Sequence, residues 1–324
     1  MEDKIDLVYT WLDGNDEEWK KKKLFWQEKL NPNAGVVNPC RFSDNNELKY
    51  SLRSVEKYAN WINKIYIVTD NQIPKWLNTN HPKIKVIDHK EILPIDATPN
   101  FNSVAIEHCI VNIPNLAEKF LYANDDTLFF DYVKPEYFFS KNKGVICRYL
   151  REISAESTGM YENQLRNAAK IIKKEYNKSY FYLPHHNIDA YIKSDVLDCY
   201  AKNSNQIDET IFNRFREYTD VSRHVYSCYS CAIGHGNWKK LHKVDSELPL
   251  WLKVFNALTK RYSKDSLFLQ TSWNVDFEVE VKKLKPKLLC INDDEDTNEK
   301  QRKNLKEFLN TKFGNKSVFE LEDR

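Results

Sequence analysis

Residues 99–126 read PNFNSVAIEHCIVNIPNLAEKFLYANDD, and the fold turns on how this stretch is read. A capped helix, a proline-marked turn and a short apolar strand, Lys119 to Ala123, follow one another. The strand runs straight into Asn124, Asp125 and Asp126. In an open α/β sheet, the loops just past the carboxyl ends of strands aim polar side chains into a crevice. Two adjacent carboxylates there suit a divalent cation bridging a diphosphate, because hard cations take oxygen ligands. Alone, Asn-Asp-Asp reads as an acidic surface turn. Its neighbours give it weight.

Towards the amino terminus, Ile5 to Trp11 is an apolar run of β type closed by the turn signal Asp13-Gly14-Asn15. A helical pattern spans Glu17 to Leu30, and its lysines at 20–23 read as a solvated face. Asp44 with Glu47 three residues on resembles a capping box. Leu48, Leu52, Val55, Ala59 and Ile62 follow on one helix face. Next come the buried-strand run IYIVT ending in Asp70, a short helical piece near Pro74–Leu77, and a strand from Ile84 that ends in Asp88-His89. Strand and helix alternate, and three strands end in acidic or histidine residues. Such alternation predicts an α/β, Rossmann-like fold: a mostly parallel sheet flanked by helices.

Beyond residue 139, Val145 to Tyr149 reads as a strand and Met160 to Tyr176 as an amphipathic helix. Tyr182-Leu183-Pro184-His185-His186-Asn187 breaks the pattern. Paired histidines after proline are candidates for acid–base work, and equally for hydrogen bonding within a turn. Asp208 to Tyr218 reads as a helix carrying Arg214 and Arg216, whose guanidinium forks suit phosphoryl oxygens when they face a crevice. Val244 to Phe277 is mixed and aromatic-rich, and the lysines of residues 282–287 read as a solvated edge strand. Cys290-Ile291-Asn292-Asp293-Asp294 repeats the logic of an apolar run ending in Asn-Asp-Asp, and a last helix spans about Glu299 to Phe313. No repeat or linker divides the chain. One domain over 1–324 with a more helical carboxyl-terminal half is the expectation.

Composition excludes several classes. Lys+Arg of 49 against Asp+Glu of 47 gives +2, which argues against nucleic acid bound through bulk charge. Only 7 glycines are present, with no GxGxxG or Walker A pattern, so an ordinary P-loop or dinucleotide domain is excluded. The amino terminus lacks a signal-peptide core, and no apolar run approaches the roughly 20 residues of a spanning helix. Scattered cysteines, 7 in all, fit reduced thiols in the cytoplasm. The spacing His224-x3-Cys228-x2-Cys231-x3-His235 could hold zinc, but its aromatic surroundings read equally as core.

Several segments then resemble a known family. IDLVYTWLDG (5–14), RFSDNNELKYSLRSVEKYANWINKIYIVTDNQIPKWL (41–77) and the stretch 99–126 are similar to the first two signature regions of the Stealth family. LPHHNID with NRFREYTDV is similar to the third region, within about 183–220. Residues 290–320 are similar to the fourth. The Stealth proteins are sugar-phosphate transferases of bacterial capsule synthesis, related to the catalytic part of animal N-acetylglucosamine-1-phosphotransferase. The resemblance implies transfer of a sugar 1-phosphate from a nucleotide sugar, such as a UDP-hexose or UDP-N-acetylhexosamine, to a hydroxyl of an acceptor glycan. A divalent cation, Mg²⁺ or Mn²⁺, is implied with it.

By position, Asp126, His185 and Arg216 are expected as catalytic residues. Asp6, Trp11, Asp13, Arg53, Asn124 and His186 are expected to bind substrate, and Asp125, Asn292 and Asp293 to bind the metal. Where the animal enzymes read His-x-Pro-His this chain has Tyr182-Leu183-Pro184-His185, which leaves the role open between His185 and His186. The expected setting is the cytoplasm at the inner face of the cell membrane, with a lipid-linked acceptor one option and no nucleic acid. Two rivals remain at this level. One is a metal-dependent glycosyltransferase releasing the nucleoside diphosphate; the other is a glycan-binding protein using some of its 18 Tyr, 17 Phe and 8 Trp.

Overall fold

The computed structural model describes residues 4–142, 144–241, 250–251, 254 and 265–322. The chain opens with β1 (Ile5–Thr10), whose first five side chains are all buried, as a central parallel strand covered on both faces requires. Helix α1 (Glu17–Leu30) begins at Asp16, whose carboxylate accepts from the Trp19 amide, and stops at Asn31 in the left-handed region. Helix α2 (Glu47–Tyr58), β2 (Ile65–Thr69) and β3 (Ile84–Asp88) follow, then the single turn α3 (His89–Ile92), capped by Asp88. Helix α4 (Ser103–Cys109) leads into β4 (Lys119–Asn124). The sheet runs β3-β2-β1-β4, all parallel, and closes with β9 (Asp189–Ile192) antiparallel on β4.

This order places the topological switch between β1 and β4, because the chain winds outward from β1 to β3 and then returns to β1's other side. Thr10 stands opposite Asn124, and Thr69 opposite Asp88, so Trp11, Asp70, His89 and Asp125 all emerge at one edge. One face of the sheet packs Leu48, Leu52 and Val55 of α2 against Leu7, Tyr9, Ile65 and Ile67. The other face packs Val8, Val68 and Tyr122 under α4 and two later helices, α6 (Lys193–Phe212) and α7 (His224–Ala232). The result is helix on both faces of a mostly parallel sheet, the α/β architecture read from the sequence.

Two smaller sheets extend it. The turn after Asn124 leads directly into β5 (Thr127–Phe129). Strand β6 (Phe139–Ser140), β7 (Gly144–Glu152), β8 (Tyr182–Pro184) and β10 (Gly236–Lys240) form one small sheet beside α5 (Met160–Tyr176). β11 (Ser266–Gln270) pairs parallel with β12 (Leu288–Asn292), which pairs antiparallel with β5. Helices α8 (Phe277–Leu284) and α9 (Glu299–Phe313) cover that third sheet through Phe277, Val281, Leu305, Phe308 and Leu309. Among the described residues no helix is long and apolar enough to cross a membrane.

Three local expectations change. The helix expected over Asp208–Tyr218 ends at Phe212, and the next residues form a loop. Asp220 holds that loop by accepting from Asn102, Asn213 and the Glu217 backbone amide. The lysines at 282–287 begin in the last turn of α8 instead of an edge strand: Asp276 caps the helix, Val281 and Leu284 are buried, and Lys285 ends it in the left-handed region. Pro74–Leu77 makes one turn bond, the Leu77 amide to the Pro74 carbonyl at 3.0 Å, and no helix. Most of the aromatic-rich stretch Val244–Phe277, at 242–249, 252–253 and 255–264, lies outside the described residues.

Candidate active site

A cavity of about 590 Å³ opens at the switch point. One wall is acidic. Asp125 and Asp126 leave β4, and Asn292 and Asp293 leave β12, 166 residues further along. The β5–β12 pairing brings them together: Asn292 Nδ2 donates to Asp126 Oδ2 at 3.0 Å, and the Ile291 amide to the Asp126 carbonyl at 3.2 Å. Cys290 Sγ lies 3.4 Å from the same Oδ2. Asp126 Oδ1 is buried and has no hydrogen-bond partner among the described residues. Asp293 accepts from Arg302 Nε at 3.0 Å.

Glu47 joins this wall, which sequence reasoning missed by reading it as a helix cap. Asn46 at the cap position is left-handed, at φ 65°, and makes no side-chain cap bond. Glu47 instead folds back on Asn45, accepting from its amide at 2.6 Å and its side chain at 2.7 Å. Burial raises the Glu47 carboxyl to about 7, against those Asn45 bonds. Burial, then the charges of Glu47, Asp126 and Asp44, push Asp125 well above the usual carboxylate range. Burial also raises Asp44, which takes hydrogen bonds from the Asn46 amide and the Trp11 side chain. Four crowded carboxylates, Glu47, Asp125, Asp126 and Asp44, fit a divalent cation, since each lone carboxylate is costly there.

Two arginines share the lining. Arg41 sits in a short 3₁₀ turn, Pro39–Phe42, with Nε on the Gly35 carbonyl at 2.8 Å. Arg216 reaches in from the Asp220-held loop, with Nη2 on Ser103 Oγ at 2.6 Å. Neither forms an ion pair among the described residues, and burial followed by Arg216's charge lowers Arg41. Two guanidiniums close enough to perturb each other, with no ion pair among the described residues, mark an anion site. The remaining wall, Leu12, Trp19, Val68, Phe101 and Ile106 with His89, is largely apolar. Burial lowers His89 to about 4, so its ring is neutral near pH 7.

The two adjacent histidines part company. His186 lines the cavity beside Asp126; burial lowers its pKa while the Asp126 charge raises it. His185 is buried away from the cavity, with Nδ1 2.9 Å from Ser266 Oγ and Nε2 3.3 Å from Asp189 Oδ1. Asp189 also accepts from Arg223 at 2.7 Å, and Arg223 binds Glu107 at 3.1 Å and stacks over Tyr122. Tyr122 in turn donates to Asn124 Oδ1 at 2.8 Å, holding that amide on the cavity wall.

Of the residues expected from sequence, Trp11, Asn124, Asp125, Asp126, His186, Arg216, Asn292 and Asp293 line one cavity. Three others stand elsewhere with His185. Asp6 lies at the amino end of β1, where it accepts from Asn63 Nδ2 at 2.7 Å and the Lys64 and Ala117 amides at 3.1 and 2.8 Å, tying down the loops into β2 and β4. Arg53 forms a bidentate pair with Glu320, both arms at 2.7 Å. Asp13 shapes its own turn, accepting from the Asn15 amide at 2.8 Å. The His224/Cys228/Cys231/His235 set does not converge: His235 binds Asp195 at 2.8 Å, His224 Ser222 at 3.1 Å, and Cys228 is in the core.

The fold and this cavity define an α/β enzyme with its polar site at the switch point of a parallel sheet. Residues 41–147 match conserved region 2 of the Stealth proteins, and residues 280–324 match conserved region 4. The capsular polysaccharide phosphotransferase fcs1 of Haemophilus influenzae is 30% identical over 95% of this chain and 84% of its own length. The exopolysaccharide phosphotransferase cps2G of Lactiplantibacillus plantarum is 30% identical over 98% and 96%. SacB of Neisseria meningitidis serogroup A, another capsular polysaccharide phosphotransferase, is 31% identical over 98% of this chain and 57% of its own. This chain belongs to the Stealth family, and it is a transferase. Among solved structures, an active-site mutant of LgtC aligns over 97% of this chain and 98% of that one, with 8% identity and a TM-score of 0.42.

Proposed function

We propose that the protein transfers a sugar 1-phosphate from a nucleoside diphosphate sugar to a hydroxyl of an acceptor glycan in capsular or exopolysaccharide synthesis. The observation that carries this reading is a single cavity lined both by two Asn-Asp-Asp segments with Glu47 and by two arginines that form no ion pair among the described residues. A diphosphate needs both partners, cation ligands on one side and guanidinium forks on the other. The relatives named as polysaccharide phosphotransferases support the same acceptor class.

Asp125, Asn292, Asp293 and Glu47 would hold a Mg²⁺ or Mn²⁺ ion, which when bound draws charge from the diphosphate oxygens. Arg216 and Arg41 bind the phosphoryl oxygens and favour the charge that spreads over them in the transition state. The apolar slot of Leu12, Val68 and Ile106 takes the nucleoside and excludes water from it. His186, neutral because of burial, accepts the proton from the acceptor hydroxyl at a ring nitrogen, with Asp126 beside it to favour the imidazolium formed. The acceptor oxygen bonds to the phosphorus bearing the sugar, the phosphoanhydride breaks, and a nucleoside monophosphate leaves. His185, through Asp189, fixes the backbone that presents His186.

The test is the identity of the released nucleotide when purified protein meets a divalent metal, a panel of UDP-sugars and acceptor oligosaccharide. UMP with a phosphodiester in the product is expected. UDP with a glycosidic bond would overturn the reading in favour of glycosyl transfer.

A further inference from the structure

Asp126, His186 and Cys290 each offer one ligand atom, and those atoms lie within 4.8 Å of one another. They arrive from three elements: the turn after β4, the segment after β8, and β12 itself. Asp126 uses Oδ2 for the Asn292 amide and the Cys290 thiol, leaving its buried Oδ1 without a partner among the described residues. The transfer chemistry proposed above makes no use of Cys290. The donor set is one oxygen, one imidazole nitrogen and one sulfur. Mg²⁺ and Mn²⁺ prefer oxygen, whereas nitrogen and sulfur donors together select a borderline-soft ion such as Zn²⁺.

We propose that Asp126, His186 and Cys290 form a zinc site at the back of the cavity, and that zinc held there inhibits transfer by occupying Asp126 and His186. Tetrahedral zinc with bonds of about 2.0–2.3 Å keeps its donor atoms roughly 3.3–3.7 Å apart. The 4.8 Å spread therefore needs a closing movement of about 1 Å, within reach of side-chain rotation. Asp126 and His186 face the cavity, so the ion and a water as fourth ligand enter from that side, with Cys290 buried behind. On capture the Cys290 S–H bond breaks, a sulfur–zinc bond forms, and the proton leaves to solvent. Nothing is oxidised or reduced. The inhibition depends on the roles given to Asp126 and His186 above; the capture of zinc does not.

Co²⁺ titrated into the metal-free full chain reads the site without any turnover. The expected result is a thiolate-to-cobalt charge-transfer band in the near ultraviolet with the strong visible bands of four-coordinate cobalt, both abolished by one equivalent of Zn²⁺. Bound Co²⁺ without the thiolate band would overturn the site in the wild-type protein alone, whatever the fate of variants. Cys290→Ser should lose the band and bind zinc about 10-fold or more weakly, the scale at which losing ligand support is felt. Unchanged zinc affinity in a folded Cys290→Ser protein would equally overturn it. In the transfer assay, zinc should inhibit the wild type at lower concentration than Cys290→Ser. A thiolate-bound metal that leaves transfer unaffected would refute the inhibition while the nucleotide-release assay still judges the transfer reading by itself.

Discussion

Replacing Arg53 with methionine separates a structural reading of this residue from a substrate-binding one. Arg53 is buried on α2, outside the cavity lining, and its guanidinium reaches the Glu320 carboxylate through two nitrogens at 2.7 Å. A further arm donates to the Phe313 carbonyl at 2.7 Å, closing the end of α9. Removal leaves Glu320 nearly fully buried with the Ser317 amide and hydroxyl at 2.9 and 3.1 Å and Lys49 at 3.5 Å. Breaking one side of a buried pair costs about 3–5 kcal/mol, and the surviving Lys49 contact places this case near the lower end, about 3 kcal/mol. At roughly 2–4 °C per kcal/mol for domains of this class, the melting temperature should fall by about 6–12 °C. Thermal unfolding measures this, and nucleotide release well below the transition measures catalysis. Arg53→Met with Glu320→Gln should recover part of the loss, because no uncompensated charge is then buried. The pair also sets a pH dependence. Burial pushes Glu320 up, but Arg53, the Ser317 amide and Lys49 hold it below its ordinary range. A depressed carboxyl contributes stability above its unfolded pKa and loses it as pH falls through the folded one, so the two proteins should converge in acid. An unchanged melting temperature, or a large loss of kcat in folded Arg53→Met protein, would refute the assignment.

Arg216→Ala should leave the fold intact and lower kcat by about 10²–10³-fold, the scale of one preorganised charge donor, as read by nucleotide release. His186→Ala should lower kcat by about 10²-fold or more, whereas His185→Ala should chiefly lower the melting temperature, since its ring binds Ser266 and Asp189 in the interior. Glu47 is raised from 4.5 to about 7, so its ionisation opposes folding and the cost grows as pH rises from about 4.5 to 7. Glu47→Gln should therefore stabilise the metal-free protein by about 3 kcal/mol at pH 8 and by little at pH 4, an upper bound checked by denaturant titration at both pH values. The same variant should gain less melting temperature than wild type on addition of Mg²⁺ or Mn²⁺, as thermal unfolding with and without the ion would show.

Much of the chain's local structure was determined by its sequence alone. The apolar face of Leu48, Leu52 and Val55 required α2, and the limits of α1, α5 and α9 coincide with their helical patterns. Strand–helix alternation required a parallel sheet, and Asp125 at the carboxyl end of β4 had to emerge at the switch-point edge. That logic also separates Asp6 from the site: it opens β1, so its carboxylate stands at the opposite edge and serves the loops there. Tertiary structure alone decided the rest. Periodicity and capping act over a few residues, but the meeting of Asp126 with Asn292 depends on β5 pairing with β12 across 166 residues. Glu47 looked like a cap because Asp44 precedes it by three; only the left-handed Asn46 turns its carboxylate inward. Between His185 and His186 the sequence offers nothing to choose, because both follow Pro184 in one tight bend, closed by the Asn187 amide on the His185 carbonyl, and only the surrounding Ser266, Asp189 and Asp126 show which ring meets the cavity.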